Sequence, residues 1–451
     1  MRNESNADME KELTKSPVIK TMLRFALPMI AGNLLQQCYN VADTLIVGRY
    51  LGTDALAAVG SAFTLMTFLT SILLGLSMGS GTVFSIKFGS RDFVGLKESI
   101  LASFVLLGAI TALINILVFA GIDWILDFLR AAGNIRTLMR SYLIIIFAGI
   151  PAVFLYNYFA SMLRALGNSV VPLVFLAVSA VMNIGLDLWF VIGLNRGVAG
   201  AAEATVISQY VSGAGLSIYT LMKFPRLKIK KARLRLSRFK EIAGFSALTC
   251  IQQSIMNFGI LAVQGLVNSF GGTTMAAFAA AVKIDAFAYL PVQDFGNAFS
   301  VFTAQNYGAK EYQRIKTGIK AAAVMSVLFG LIISAIVCIF ARPLMSLFID
   351  SSETAVINQG ADYLRIEGAF YWAIGLLFLL YGLFRALKKP GVSVVLTIIS
   401  LGTRVALAYA LAPVFGAFGI WWSVPIGWLL ADGIGLLCFA VKRKSLLNSQ
   451  E

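Results

Sequence analysis

Apolar runs of about 20 residues recur along the whole of this chain, and about 20 apolar residues in a helix cross the hydrocarbon core of a bilayer. That recurrence excludes most folds at once. Charged residues make up only 13% of the chain, where a soluble domain carries about 25%, so no sizeable soluble domain is expected. A membrane β-barrel would show short alternating strands instead of continuous apolar runs. The first run opens at Ile19 and lacks an A-x-A-like site, so it reads as a true span and not a cleaved leader.

The runs delimit spans at 19–47, 53–83, 97–120, 137–162, 171–194, 197–222, 240–268, 275–303, 316–341, 360–386, 392–412 and 416–441. Twelve spans put both termini on one side. With that side inside, 28 of the 37 Lys and Arg residues fall in inner segments, including Lys87, Arg91, Lys97, Lys310, Arg314, Lys388, Lys389 and the tail Lys442–Lys444. The positive-inside rule then predicts cytoplasmic termini and a multi-pass protein of the cell (inner) membrane. The net charge of +15 is thereby a topology signal, and no nucleic-acid partner is expected. Cys38, Cys250, Cys338 and Cys438 are scattered through apolar runs, which fits buried small residues and neither a disulfide framework nor a metal site. The chain has no histidine, so proton chemistry inside the membrane falls to carboxylates.

The segment 223–240, "KFPRLKIKKARLRLSRFK", has nine basic residues and no acid, and it halves the chain. The halves repeat one another. "LGTDALAA" (51–58) answers "FGGTTMAA" (270–277), "FGSRD" (88–92) answers "YGAKE" (307–311), and "GVAG" (197–200) answers "GAFG" (416–419), all 219 residues apart. "RAL" recurs at 164–166 and 385–387, 221 apart. Six spans per half is an even number, so both copies enter the membrane in the same direction. Parallel repeats of this kind are a transporter architecture, with the substrate route between them and access alternating by rocking.

Acids in apolar spans are costly and usually face a cavity or a partner. Asp43, in "YNVADTLIVG", lies about 28 Å along its span from Phe25, and Asp187, in "NIGLDLWFVIGL", about 24 Å along its span from Val171, both counted from the inner side. They fall opposite Ala262 and Ala408 in the second copy, and Asn183 falls opposite Arg404. The second copy has acids of its own, Asp294 opposite Gly75 and Glu367 opposite Ile146, so the halves are expected to be chemically specialised. Asn183 shares a helix face with Asp187, as Tyr39 does with Asp43. With Thr205, these carboxylates, amide and hydroxyl suit a hard cation or a shared proton. Pro28 lies inside the first span, where it removes a backbone bond and favours a bend. Gln253 with Asn257, and Asp294 with Asn297, are polar pairs in the second half that can face a central cleft. Abundant Met and Phe (14 and 33) suit loosely specific binding of flat lipophilic cations.

The chain resembles the multidrug and toxic compound extrusion (MATE) family. "LP…YNVADTLIVGRYLGTDALAAVG" (27–60), "GSGTVFSIKFGSRD" (79–92), "RALGNSVVP" (164–172), "NIGLDLWFVIG" (183–193), "GVAGAAEATVIS" (197–208) and "LPVQDFGNAFSVFTAQNYGAKE" (290–311) carry the resemblance across nearly the whole chain. It implies an all-α fold of twelve helices in two parallel six-helix lobes, 1–222 and 241–451, with 223–240 as a basic linker. It implies a secondary active exporter, not an enzyme, that antiports organic cations against H+ or Na+, without cofactor and as a monomer among membrane lipids. Asp43, Asn183, Asp187 and Thr205 match the family's cation site, which would hold Na+ if sodium is the coupling ion. Pro28 matches a helix-bending proline, and Tyr39 a substrate-lining residue; Asn157, Gln253, Asn257, Asp294 and Asn297 are the other expected lining residues. Gln253 stands where the NorM branch has Glu, which points to the DNA-damage-inducible F-like branch. The rival reading is a lipid-linked oligosaccharide flippase, which asks for more basic residues in the central cavity. Glu203, Glu367 and Arg404 receive no role from the sequence.

Overall fold

The computed structural model describes residues 13–129, 133–224 and 233–447, and among them every regular element is helical. The first repeat contains α1 (Val18–Leu51), α2 (Thr53–Gly89), α3 (Phe93–Ala120), a short α4 (Ile122–Phe128), α5 (Gly133–Ala148), α6 (Ile150–Ala165), α7 (Val170–Asp187) and α8 (Gly197–Lys223). The second contains α9 (Leu236–Asn268), α10 (Gly272–Gly308), α11 (Tyr312–Ile339), a short α12 (Ala341–Met345), α13 (Thr354–Gly368), α14 (Tyr371–Ala386), α15 (Pro390–Phe415) and α16 (Ala417–Leu447). The order is the same in both, down to the short helix after the third span. Residues 225–232 of the basic linker lie outside the described residues, as do the first twelve and last four residues of the chain.

Among the described residues, nine helices are individually long and apolar enough to cross a membrane, and the pairs α5–α6 and α13–α14 add one span each. α8 holds the twelfth place by its position in the repeat, opposite α16. Its 27 residues extend about 40 Å, but Gly, Ala, Ser and Glu203 lower its hydropathy. The spans expected as single helices over 137–162 and 360–386 are broken instead, with bends of 42° and 50°. Pro151 explains the first break: it lacks an N–H and sits in the first turn of α6, where none is needed. The second has no proline; Ala369 and Phe370 tighten the chain, with the Phe370 N–H donating to Glu367 O three residues back at 3.0 Å. Pro28 and Pro291 lie inside helices that continue through them.

The repeat is written most clearly in the backbone. Gly52 and Gly271 have φ of 84° and 92°, Arg91 and Lys310 of 57° and 63°, and Gly197 and Gly416 of 60° and 61°. Each pair is 219 residues apart, and Gly167 and Lys388 (84° and 59°) repeat the feature at 221. A left-handed residue costs an L-amino acid about 1 kcal/mol or more, so paired occurrences mark turns held in common. The loops also share hydrogen bonds. Asp92 N–H donates to Lys87 O at 3.0 Å, and Glu311 N–H to Asn306 O at 2.9 Å.

The described residues form two compact units, 31–250 and 13–30 with 251–447. This division differs from the one at the linker, because each repeat's first helix is shared. Met22, Phe25, Ala26 and Met29 of α1 are buried in the second unit's core, and Ile46 and Val47 in the first's. In α9, Ile242 is buried in the first unit's core, and Val263 and Val267 in the second's. The changeovers, at Ile30/Ala31 and Cys250/Ile251, are 220 residues apart. α1 has 34 residues and reaches about 50 Å, longer than one bilayer core, so it has length for both.

Close backbone packing fixes both units. In the first, a Cβ at Gly79 would lie 2.5 Å from Ser246 Cα, and the Ser80 and Ser246 hydroxyls are 3.0 Å apart. In the second, a Cβ at Gly382 would lie 2.6 Å from Gly296 O. Glycine pairs let helices approach where lipid offers no hydrophobic drive to association. The segments before α1 and α9 are tied down as well. Leu13 N–H donates to Gln305 Oε1 at 2.9 Å, and Leu13 O accepts from Arg314 at 3.0 Å. Arg235 and Arg238 hold the buried Glu98 carboxylate at 3.0 and 3.4 Å.

Candidate functional site

The first unit gathers the sequence-predicted acids. α7 ends at Asp187, and the next six residues, Leu188–Gly193, form a π-helical turn. Such widened turns are frequent at functional sites. Asp187 is fully buried, and neither of its carboxylate oxygens has a hydrogen-bond donor. It neighbours Asp43 of α1, and the two carboxylates interact electrostatically. Asp43 is half-buried, and its Oδ1 also lacks a donor. Two carboxylates that face one another without a donor repel unless a proton or a cation lies between them.

The remaining members close around this pair. Asn183, one turn before Asp187, donates from Nδ2 to Thr205 Oγ1 at 3.4 Å, and its own Oδ1 is left without a donor. Thr205 Oγ1 donates in turn to Ala201 O at 3.1 Å, which keeps its lone pairs turned away from α8. Tyr39 is one turn from Asp43, and its hydroxyl accepts from Gln36 Nε2 at 3.5 Å. The sequence reading missed Tyr142. This buried tyrosine of α5 lies within electrostatic reach of Asp43, Asp187 and Tyr39. Its flanks, "MRSYLIII", give no spacing signal. The site therefore holds acceptor oxygens from α1, α7 and α8, with phenol hydroxyls from α1 and α5. That donor set suits a proton or a hard monovalent cation.

The other expected residues divide between the units. Asn157, on α6 of the first unit, donates to Val153 O of its own helix at 2.9 Å. In the second unit, Asn257 of α9 donates to the backbone oxygen of Gln253 at 3.2 Å, and both side chains are half-buried. Asp294 is buried on α10. Asn297 Oδ1 accepts from the buried Arg385 guanidinium at 3.1 Å, and Ser300 Oγ lies 3.4 Å from Arg385 Nε. Arg385 comes from the second "RAL" copy, whose chemistry the repeat alone did not disclose. Glu203, left without a role by the sequence, pairs with Arg196 at 2.8 Å. Pro28 lies two residues before the point where α1 passes from the second unit's core toward the first's.

Comparison with known proteins agrees with the double structure. A family model described as MatE matches twice, over residues 28–189 and 249–410, with the matches 221 residues apart. The chain is 28% identical to the probable multidrug resistance protein YoeA of Bacillus subtilis, over 94% of this chain and 93% of the relative. It is 25% identical to a FAD transporter of Shewanella oneidensis, over 96% of each. Among solved structures, a MATE in complex with MaL6 superposes with a TM-score of 0.91 at 23% identity, over 99% of this chain and 100% of that one.

Proposed function

Because this chain belongs to the MatE family of membrane transporters, we propose that it is a secondary active exporter of lipophilic organic cations, driven by the inward movement of H+ or Na+. The observation that carries the proposal is the pair Asp43–Asp187, with Asp187 fully buried and donor-less on both oxygens and Asp43 half-buried and donor-less on Oδ1. The pair with Asn183 and Thr205 takes up the coupling cation, and loading it removes a buried charge. Loading drives the cycle only if the two access states bind the cation with different affinity. α1 is the element that feels the change: it carries Asp43, and the backbone bond missing at Pro28 falls near its passage between the two cores. We read this as the flexing point for a rocking motion of the units. The residues offered to cargo are Tyr39, Asn157, Gln253, Asn257, Asp294 and Asn297.

Gln253 supports placement nearer the DNA-damage-inducible F-like branch than the NorM branch. Arg404, the basic residue that a flippase reading asks for, is within electrostatic reach of Asp285 and Glu367, which supports a counter-ion role over a cavity-lining one. Purified protein in vesicles with proton and sodium gradients imposed separately tests the function. A lipophilic cationic dye is expected to move against its gradient with one of the two ions. Movement with neither, or only down the dye gradient, refutes ion-coupled export.

Topology is a separate prediction. We place both termini and 223–240 in the cytoplasm, since nine basic residues are costly to translocate and are attracted to anionic lipid. Ser237 is exposed at the start of α9. A Ser237→Cys variant, with the four native cysteines replaced, is expected to resist an impermeant thiol reagent in intact cells and to react after permeabilisation. Labelling from outside reverses the orientation.

A further inference from the structure

The second unit contains a buried polar cluster that the first unit's site does not explain. Asp285 of α10 is 7% exposed, Glu367 of α13 is 1% exposed, and Tyr363 and Tyr371 are 2% and 0% exposed. Tyr289 and Arg404 of α15 complete the group and are half-buried. Asp285 lies near Tyr371 and Glu367 near Tyr363, and both carboxylates are within electrostatic reach of each other and of the Arg404 guanidinium. Cys338 of α11 lies beyond Tyr371. Asp362 and Arg365, on the outer face of α13, pair with each other at 3.8 Å. The cluster is incompletely satisfied. Asp285 Oδ1, Glu367 Oε1, the Tyr371 hydroxyl and Arg404 Nε all lack hydrogen-bond partners.

The repeat gives the cluster its meaning. Arg404 stands at the place of Asn183, and Glu367 at the place of Ile146, both at the 221-residue offset. Asp285 stands at the place of Met66, at the 219-residue offset. The first unit's site thus pairs two acids with no fixed cation, and this cluster two acids with one. Two carboxylates against one guanidinium leave one negative charge in excess. An uncompensated charge in the membrane interior costs several kcal/mol, so one more positive charge is called for. A metal ion is a poor candidate. The guanidinium repels it, and among the described residues no group of three His, Cys, Asp or Glu side chains is placed to hold one. A proton needs only one oxygen, and the unpartnered oxygens supply it.

We propose that Asp285 and Glu367 form a second cation site that binds a single exchangeable proton, with Arg404 as a built-in cation that keeps the other carboxylate ionised. The first unit takes its cation from solution; the second carries one of its two on its own chain. As part of an exporter, and resting on that reading for this consequence alone, the cluster adds a second ion-binding event to the one at Asp43 and Asp187.

Infrared spectroscopy of the full-length protein in lipid nanodiscs, recorded across a pH titration, tests the site without any transport measurement. The background variant is Asp43→Asn, Asp187→Asn, Asp432→Asn, which removes the first unit's pair and the buried, donor-less Asp432 carboxylate. A protonated-carboxyl band that comes and goes with pH is expected to remain in it, and to be lost on adding Glu367→Gln or Asp285→Asn. A band untouched by both substitutions overturns the proposal. Arg404→Met is expected to raise the band about twofold, since two carboxylates left without a cation call for two protons; an unchanged band means that Arg404 is no counter-ion and also overturns it. If the background variant fails to fold, the same substitutions in the wild-type chain are read as differences in that band. Because dye movement is not measured, failure of this site and failure of the exporter assignment are told apart.

Discussion

Asp187→Asn is expected to abolish ion-driven dye efflux while leaving the amount of folded protein and dye binding close to wild type. The side chain is fully buried, faces Asp43, and has no donor on either oxygen. Asparagine keeps the shape and removes the charge that a coupling cation would answer. Moving an access equilibrium from about 1:99 to about 99:1 takes about 5.5 kcal/mol of differential affinity, and a site without its charge cannot supply it. Asp43→Asn should behave alike, and the double variant should be scarcely worse than either, because groups acting as one unit are non-additive. Thermal unfolding in detergent should not fall, since the substitution relieves a repulsive pair. Normal efflux by either single variant under an imposed gradient would refute the coupling role.

The second large effect is structural. Gly382→Val is expected to cost about 3 kcal/mol or more, enough to lower the yield of folded protein and its unfolding midpoint in detergent. A Cβ at 382 would lie 2.6 Å from Gly296 O, and one at 296 would lie 2.9 Å from Phe378 O. Backbone is on the receiving side in both directions, so no side chain can swing away and α10 and α14 must separate. Gly402→Ala is the control. Nothing lies within 4 Å of a Cβ there, and alanine in a helix interior gains up to about 1 kcal/mol over glycine. Equal loss in both variants would mean that the substitutions act on the chain before it packs.

The acids carry the contrast between the two units. In the first, Asp43 and Asp187 meet without a fixed counter-charge. In the second, Asp285 and Glu367 lie within electrostatic reach of each other and of Arg404. A duplicated scaffold has thus been given two kinds of buried charge, and only the substituted positions differ. The turns that hold the scaffold are shared, as the paired left-handed residues at 52 and 271, 91 and 310, and 197 and 416 show.

The helical class, the repeat and the places of the spans were legible in the sequence, because each is local, while the breaks within the spans at 137–162 and 360–386 were not. An apolar run of sufficient length must be satisfied by its own backbone bonds in a membrane, and a turn that needs a left-handed residue keeps its motif in both copies. Lone acids in apolar runs were also legible, since their cost is set by the run around them. The partners of those acids were not. Asp43 and Asp187 are 144 residues apart, and Asp285 and Arg404 are 119 apart; helical periodicity says which face a residue takes and nothing of which helix that face will meet. The same limit hid Tyr142 beside the first pair, Arg385 on Asn297, and Arg196 on Glu203. It also hid the sharing of α1 and α9 between the two cores, because both halves of each helix are apolar enough to be buried in either. Only the packing of the whole chain decides between two equally apolar surroundings, since burial is rewarded by area and not by address.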